Sequence, residues 1–347
     1  MTQVCKRAVK AIVASTPLPE LVLRSKARRR LTVVSYHRIY PRLADFPLHN
    51  ALISATPEEF TREVNYYNRH LDVISISELL AGLEQPSLLP QRPAVITFDD
   101  GYADNFEFAV PVLQGTSTSA CFFISTDFIG DRTIPWFVQV AMCLNLSKCD
   151  RIASPFCNND PPFCLDVKDR TDVIRRYLVR LKQLPSREIP RHIDYLIEAT
   201  RVIPGDHVTK RLFMSWDDLR TLVSAGMEIG GHTRSHPVLS RVEEAETLRH
   251  EIAGCREDLR RGLGIEPRAF AYPTASSDDQ MSEQADLEIR RAGFQVGFSY
   301  VHSFALRNPP NRFQIPRIHT EFGEDFREFR LGLARAPMSN RAANDQG

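Results

Sequence analysis

The sequence contains no apolar stretch long enough to cross a bilayer, which argues against a membrane-spanning protein. It has almost no net charge. Its 44 Lys and Arg against 43 Asp and Glu leave +1, too weak a field to recruit a nucleic acid. It lacks a secretory leader of ordinary form, because Lys10 interrupts the apolar run that follows Lys6 and Arg7. It also lacks Cys-x-x-Cys spacing. Seven cysteines, an odd number, are scattered along the chain, which predicts free thiols in a reducing compartment and a cytoplasmic location. Cys143, Cys149, Cys157 and Cys164 share one segment but not the spacing of a zinc knuckle, so no second, structural metal is expected there. No internal repeat is present.

What remains is ordinary soluble-protein composition, 43% hydrophobic and 25% charged, over 347 residues, enough for one large barrel or two average domains. Strand signals fall at 31–36, 72–75, 94–98, 119–125, 226–230, 268–272, 295–300 and 313–318. Helix signals fall at 57–70, 76–83, 104–113, 215–225, 242–263 and 282–292, the first opened by Thr56-Pro57-Glu58-Glu59. This alternation predicts a parallel sheet or barrel, with catalytic groups at the C-terminal ends of strands. Residues 131–211 interrupt it with a Cys-rich stretch, an amphipathic helix at about 169–184 and a second helix at 187–200, read as a helical insertion over one rim. Its expected role is packing, or a lid or substrate wall. Residues 1–30 form a basic N-terminal segment, densest at 24–30, and 337–347 a polar tail expected to be disordered. The basic segment reads as a solvated approach to the first strand. Its functional alternative is contact with an anionic membrane surface, which would suit a lipid-linked sugar.

Two segments carry the chemistry. Pro93 to Phe98 reads as a buried strand running into Asp99-Asp100-Gly101. Adjacent carboxylates repel unless a cation lies near them. Strand alternation would send them to opposite faces, and Gly101 permits the break that could re-aim both. Met227-Glu228-Ile229 reads as another strand, ended by Gly230-Gly231. His232 and His236 follow at a spacing of one helical turn, so that both rings can face one point. Two imidazoles and one carboxylate make a three-ligand set with an open fourth position, the pattern of a catalytic divalent metal. A third segment, Pro267 to Pro273, reads as a strand carrying Arg268 and ending in Tyr272-Pro273.

Together these segments resemble the polysaccharide deacetylases of carbohydrate esterase family 4, the NodB homology domain. The matching motifs are Thr97 to Gly101, His232 to His236 and Arg268 to Pro273. The resemblance implies a distorted (β/α)7 barrel over 31–336, interrupted by the insertion. It implies metal ligation by Asp100, His232 and His236, with Zn²⁺ the best fit to that set. It implies Asp99 as general base, oriented by Arg268, and the backbone N–H of Tyr272 as an oxyanion donor. The implied substrate is an N-acetylated sugar polymer or glycan intermediate. The family's usual acid, a His in Leu-x-His-Asp near the C-terminus, is missing. Leu31 to His37, a strand ending in His, resembles the permuted arrangement of exopolysaccharide de-N-acetylases and nominates His37, with His319 as rival and Arg38 where an Asp is expected. Thr274-Ala275-Ser276 replaces a common Gly, and no Asp-x-x-x-Trp motif occurs near Asp286, which leaves open a small amide or cyclic imide as substrate. An inactive glycan-binding barrel is the reading from another class. It is disfavoured by the retention of Asp99, Asp100, His232, His236 and Arg268.

Overall fold

Seven short runs of apolar and β-branched residues become the staves of one barrel. They are β1 (Arg30–Tyr36), β2 (Pro93–Phe98), β3 (Cys121–Ile124), β4 (Glu228–Gly231), β5 (Ala269–Ala271), β6 (Val296–His302) and β7 (Ile315–His319). In the computed structural model, which describes residues 15–27, 30–41, 48, 52–130, 133–157, 159–205, 211–274, 281–320 and 325–337, consecutive staves pair in parallel. The ring closes where β7 pairs with β1, Val34 opposite Ile318. Closure leaves no exposed edge within the ring, and the sheet can be buried on both sides. Along β2 every residue is buried.

Strand alternation sorts the staves into two layers. Val33, Val95, Phe123, Ala269, Ala271, Phe298 and Ile315 pack together in the lumen. Val34, Ile96, Phe98, Phe122, Ile124 and Ile318 face outward into a second cluster shared with the surrounding helices. This parity decides the site, since Thr97 and Asp99 continue the lumen series of Val95, and Arg317 continues that of Ile315. At Gly230 an added Cβ would lie 2.5 Å from the Phe123 ring and 2.7 Å from the Ala269 carbonyl, so the close approach of β4 to its neighbours requires glycine there.

The helices form largely where their signals lie. α1 (Leu18–Ala27) precedes the barrel and occupies part of the basic segment. α2 (Pro57–His70) starts on a complete capping box, Thr56 with Glu59, and buries Phe60, Val64 and Tyr67. α3 (Ile76–Glu84) packs Leu79 and Leu80 against the lumen cluster. Between β3 and β4 the chain leaves the barrel for α4 (Trp136–Leu146), α5 (Thr171–Leu181) and α6 (Ile189–Thr200), which share their own core around Val140, Ile174, Tyr177 and Leu196. α5 and α6 match the expected insertion helices. α4 gave no amphipathic signal because eight of its eleven residues are buried, leaving no polar stripe. α7 (Trp216–Ser224), α8 (Ala245–Leu263), α9 (Glu283–Ala292) and α10 (Phe326–Arg335), with the short helical stretch Asn105–Ala109 and Val110–Gly115 after β2, complete the outer layer. No described helix is long and apolar enough to cross a membrane. The polar tail beyond 337, and Arg28 and Arg29 of the basic segment, lie outside the described residues.

Candidate metal centre and catalytic pocket

The end of β2 sets two neighbouring carboxylates in different places. Asp99 keeps the lumen direction of the strand. Asp100 adopts a left-handed backbone, φ 73°, followed by Gly101 at φ 88°. The turn is therefore made at Asp100 itself as well as at Gly101, and it swings the second carboxylate away from the first.

Asp100 Oδ1 lies 3.3 Å from His232 Nε2 and 3.3 Å from His236 Nε2, and all three residues are buried. The imidazoles converge without a helix. Residues 232–236 form a loop, with Thr233 at φ 67° and His236 at φ 60°, which corrects the expected helical-turn spacing. Two left-handed residues fold the segment tightly enough to bring the rings together. Glu251 of α8 pins the loop by accepting from the backbone N–H of Arg234 (3.0 Å) and Ser235 (2.9 Å), and from Ser235 Oγ (2.6 Å). His232 Nδ1 lies 2.7 Å from the Ala271 carbonyl. A carbonyl only accepts, so Nδ1 carries the proton and the Nε2 lone pair is left facing Asp100. Burial, opposed by Asp100, pulls the pKa of His236 below its ordinary value, so this ring is neutral at pH 7. Burial alone would raise the pKa of Asp100, but the two histidines outweigh it and hold the carboxyl well below the usual range.

This donor set fits a divalent cation. Asp100 Oδ1 is a buried acceptor with no hydrogen-bond donor among the described residues. Two ring nitrogens stand beside it, and the ligand atoms of the three residues lie within 4.8 Å of one another. It is the only such cluster among the described residues, and the four insertion cysteines do not gather into a second one.

Asp99 has a different partner. Both its oxygens accept from Arg317 at 2.7 Å, a two-pronged pairing in which the guanidinium is fully buried. Arg317 also donates to the Ser299 carbonyl at 3.0 Å. Burial again opposes ionisation, and Arg317 overrides it, lowering the Asp99 pKa. The expected partner, Arg268, is elsewhere. It precedes β5 at the N-terminal end of the barrel and sits out of step with the lumen residues Ala269 and Ala271. It is bonded to Ser77 and lies 3.7 Å from Glu228. Parity and strand end both exclude it from Asp99. The residue that replaces it lies in the segment that drew attention only for His319, and a strand Arg in step with Ile315 was the available signal.

The expected oxyanion donor is also committed. Tyr272 N–H donates to the Phe298 carbonyl at 2.9 Å, within the sheet, and its hydroxyl bonds Asp286. Two residues on, Thr274 holds a left-handed backbone, φ 58°, and its buried Oγ1 has no hydrogen-bond partner among the described residues.

His37, Asp99, Asp100, His232, His236 and Thr274 line one cavity of about 350 Å³, walled by Trp136, Phe137, Tyr300 and α5. A neighbouring cavity of about 470 Å³ lies between Trp136 and Glu251 and contains none of the triad. His37 is fixed at the end of β1, its N–H donating to Ser54 Oγ at 2.9 Å and its carbonyl accepting from Asn105 at 2.8 Å. Arg38, where an acid was expected, turns away to a buried pair with Asp104 at 2.7 Å. His319 lies behind Tyr300, ring stacked on ring at 3.6 Å, and is absent from the cavity wall. Its pKa falls to about 3, chiefly through burial. The insertion reaches the Asp100–His232–His236 cluster directly. Trp136 Nε1 donates to the His236 carbonyl at 3.0 Å, and the Phe137 ring lies 4.9 Å from the His236 ring. Sequence reading gave α4 no such role.

Residues 190–296 match the sequence model of the family described as Polysaccharide deacetylase. That span holds the histidine loop and the Arg268–Pro273 segment but not Asp99 and Asp100. No curated protein sequence matches the chain. Among solved structures the chain resembles IcaB from Ammonifex degensii, with a TM-score of 0.56 and 16% identity, over 88% of this chain and 96% of that one. It resembles the Streptococcus pyogenes deacetylase PplD in complex with acetate, with a TM-score of 0.54 and 14% identity, over 84% and 92%. It also resembles a de-N-acetylase from Aggregatibacter actinomycetemcomitans, with a TM-score of 0.51 and 16% identity, over 85% and 97%. At such identities these structures speak for the fold. Residues 190–296, with the histidine loop, are thus similar to the polysaccharide deacetylase family, and the chain as a whole shares the barrel fold of these solved structures.

Proposed function

We propose that this protein is a metal-dependent de-N-acetylase that hydrolyses the acetamido group of an N-acetylated glycan. The match of residues 190–296 to the polysaccharide deacetylase family model supports an amide-cleaving hydrolase. The observation that carries the reading is the pairing of an unsaturated Asp100–His232–His236 cluster with an ionised, Arg317-held carboxylate in the same cavity. Asp100, His232 and His236 would hold the ion, zinc being the one this set suits. A bound divalent ion supplies polarisation of the amide carbonyl and acidification of water.

The chain's own groups do the rest. Asp99 takes a proton from the attacking water, whose oxygen joins the carbonyl carbon. Arg317 acts as a positioning residue, keeping Asp99 ionised and its remaining lone pairs directed. Thr274 Oγ1 donates to the developing oxyanion in place of the committed Tyr272 N–H. His37 delivers a proton to the departing nitrogen as the C–N bond breaks, giving acetate and a free amine. Of the two candidate acids, only His37 lines the cavity. The test is acetate release by purified protein from chitooligosaccharides and peptidoglycan fragments, alongside elemental analysis. Acetate and one divalent ion per chain are expected, with His236→Ala losing both. An intact metal content in His236→Ala would remove the basis of the reading.

A further inference from the structure

The wall of the cavity opposite the barrel is α5 of the insertion. It contributes Arg175, Leu178, Val179 and, at the residue that ends the helix, Lys182. The spacing of these residues gives one helix face, apolar in the middle and cationic at both ends.

No carboxylate of the cavity answers the two cations. Asp99 is neutralised by Arg317. Asp100 is committed to the metal cluster. The Lys182 ammonium makes no hydrogen bond or ion pair with any described residue, and burial pulls its pKa down, opposed only by the charge of Asp100. A divalent ion on Asp100 would remove even that attraction. Arg175 pairs at 3.0 Å only with Asp172 on its own helix, both exposed, an arrangement of little strength. A half-buried ammonium beside a cation-binding cluster is costly unless an anion arrives with the ligand. An N-acetylhexosamine alone is neutral and would leave that charge unanswered.

We propose that Lys182, with Arg175 at the solvent edge, binds an anionic group, a carboxylate or a phosphate ester, carried by the substrate next to the acetamido sugar. This rests on the deacetylase reading and names its substrate class. The insertion is then the specificity wall, and the apolar step of Leu178 and Val179 separates the anion from the reacting amide.

The test compares wild type, Lys182→Met and Lys182→Arg on three probes: a neutral tri-N-acetylchitotriose, N-acetylglucosamine 1-phosphate and N-acetylmuramic acid. Binding is measured by calorimetry on the metal-loaded chain carrying Asp99→Asn, and acetate release on the chain with Asp99 intact. Charge-assisted hydrogen bonds of this kind are worth about tenfold or more in affinity. Lys182→Met should weaken binding of an anionic probe by about that factor and raise KM with little change in kcat. The neutral trimer and the metal content should be unchanged, and Lys182→Arg should restore most of the loss. Preference for the phosphate or the carboxylate probe identifies the anion. Equal loss on neutral and anionic probes, loss of metal in Lys182→Met, or no binding of either anionic probe overturns the proposal. Acetate release from the neutral trimer with no preference for the anionic probes would overturn it while leaving the deacetylase reading standing. Lys182-dependent binding without acetate release from any probe would do the reverse.

Discussion

The barrel and its insertion meet at the Asp100–His232–His236 cluster and contribute different things to it. The barrel supplies the carboxylates, the imidazoles and the buried guanidinium, each placed by strand alternation and by left-handed turns at strand ends. The insertion supplies support and a wall: the Trp136 bond to the His236 carbonyl and the cationic face of α5. Placement by a repeating sheet geometry can be read along a sequence, because position in the strand decides direction. Placement by packing between separate segments cannot, because it depends on which surfaces meet.

If the barrel holds the chemistry, the largest effects belong there. Asp99→Asn keeps the shape but cannot accept a proton, so acetate release should fall about 10²- to 10⁴-fold with the metal retained. Loss of metal in Asp99→Asn, with retention in Asp100→Asn, would exchange the two roles. His37→Ala should cost about 10² or more on an N-acetyl sugar. It should spare p-nitrophenyl acetate, whose leaving group departs unprotonated. His319→Ala should affect both substrates weakly and equally, since His319 is walled off by Tyr300. Selective loss with His319→Ala instead would move the acid to β7.

The comparison also explains what could be read from the chain beforehand. The seven staves and the capped helix from Pro57 were legible because apolar alternation and a Thr56–Glu59 box are local signals. Asp100, His232 and His236 were legible as a set, although the helical spacing assumed for the histidines was replaced by a loop with two positive φ angles. Arg268 was assigned to Asp99 by motif. A parity count along β5 and β7 would have favoured Arg317, because Ile315 and Arg317 share the lumen face and Arg268 does not. The commitment of Tyr272 N–H to Phe298 depends on sheet register, which no single strand reveals.

Arg317→Met sharpens the barrel side of the comparison through stability. Removing one member of a buried ion pair costs about 3–5 kcal/mol, because the remaining charge is stranded. The sign with pH follows from the lowered pKa of Asp99. In wild type, the stabilisation is present above the unfolded carboxyl pKa of about 3.9 and is lost as pH falls through the still lower folded value. In the variant burial is unopposed by Arg317, so the carboxyl is driven toward its neutral form. Denaturant unfolding should therefore show the largest gap between wild type and variant near pH 7, narrowing as pH falls toward about 4 and further below it. A gap independent of pH would mean that Arg317 stabilises by packing alone.

The smallest effect falls at the point where the insertion touches the barrel. Trp136 is buried, and its indole N–H holds the carbonyl of a residue whose left-handed backbone aims the His236 ring. Trp136→Phe keeps a smaller aromatic ring against Phe137 and deletes that donor. Indirect supports of a metal ligand are typically worth about 10- to 100-fold in metal affinity or activity. Trp136→Phe should lie at the lower end, since Glu251 continues to pin the loop from the other side. A competition titration with a chelator measures the affinity directly. Acetate release at saturating metal should return close to wild type, because the ligands themselves are unchanged. If affinity is unaltered, α4 only packs beside the centre. If activity stays low at saturating metal, the insertion shapes the reacting geometry itself, and the division between a chemical barrel and a supporting insertion fails.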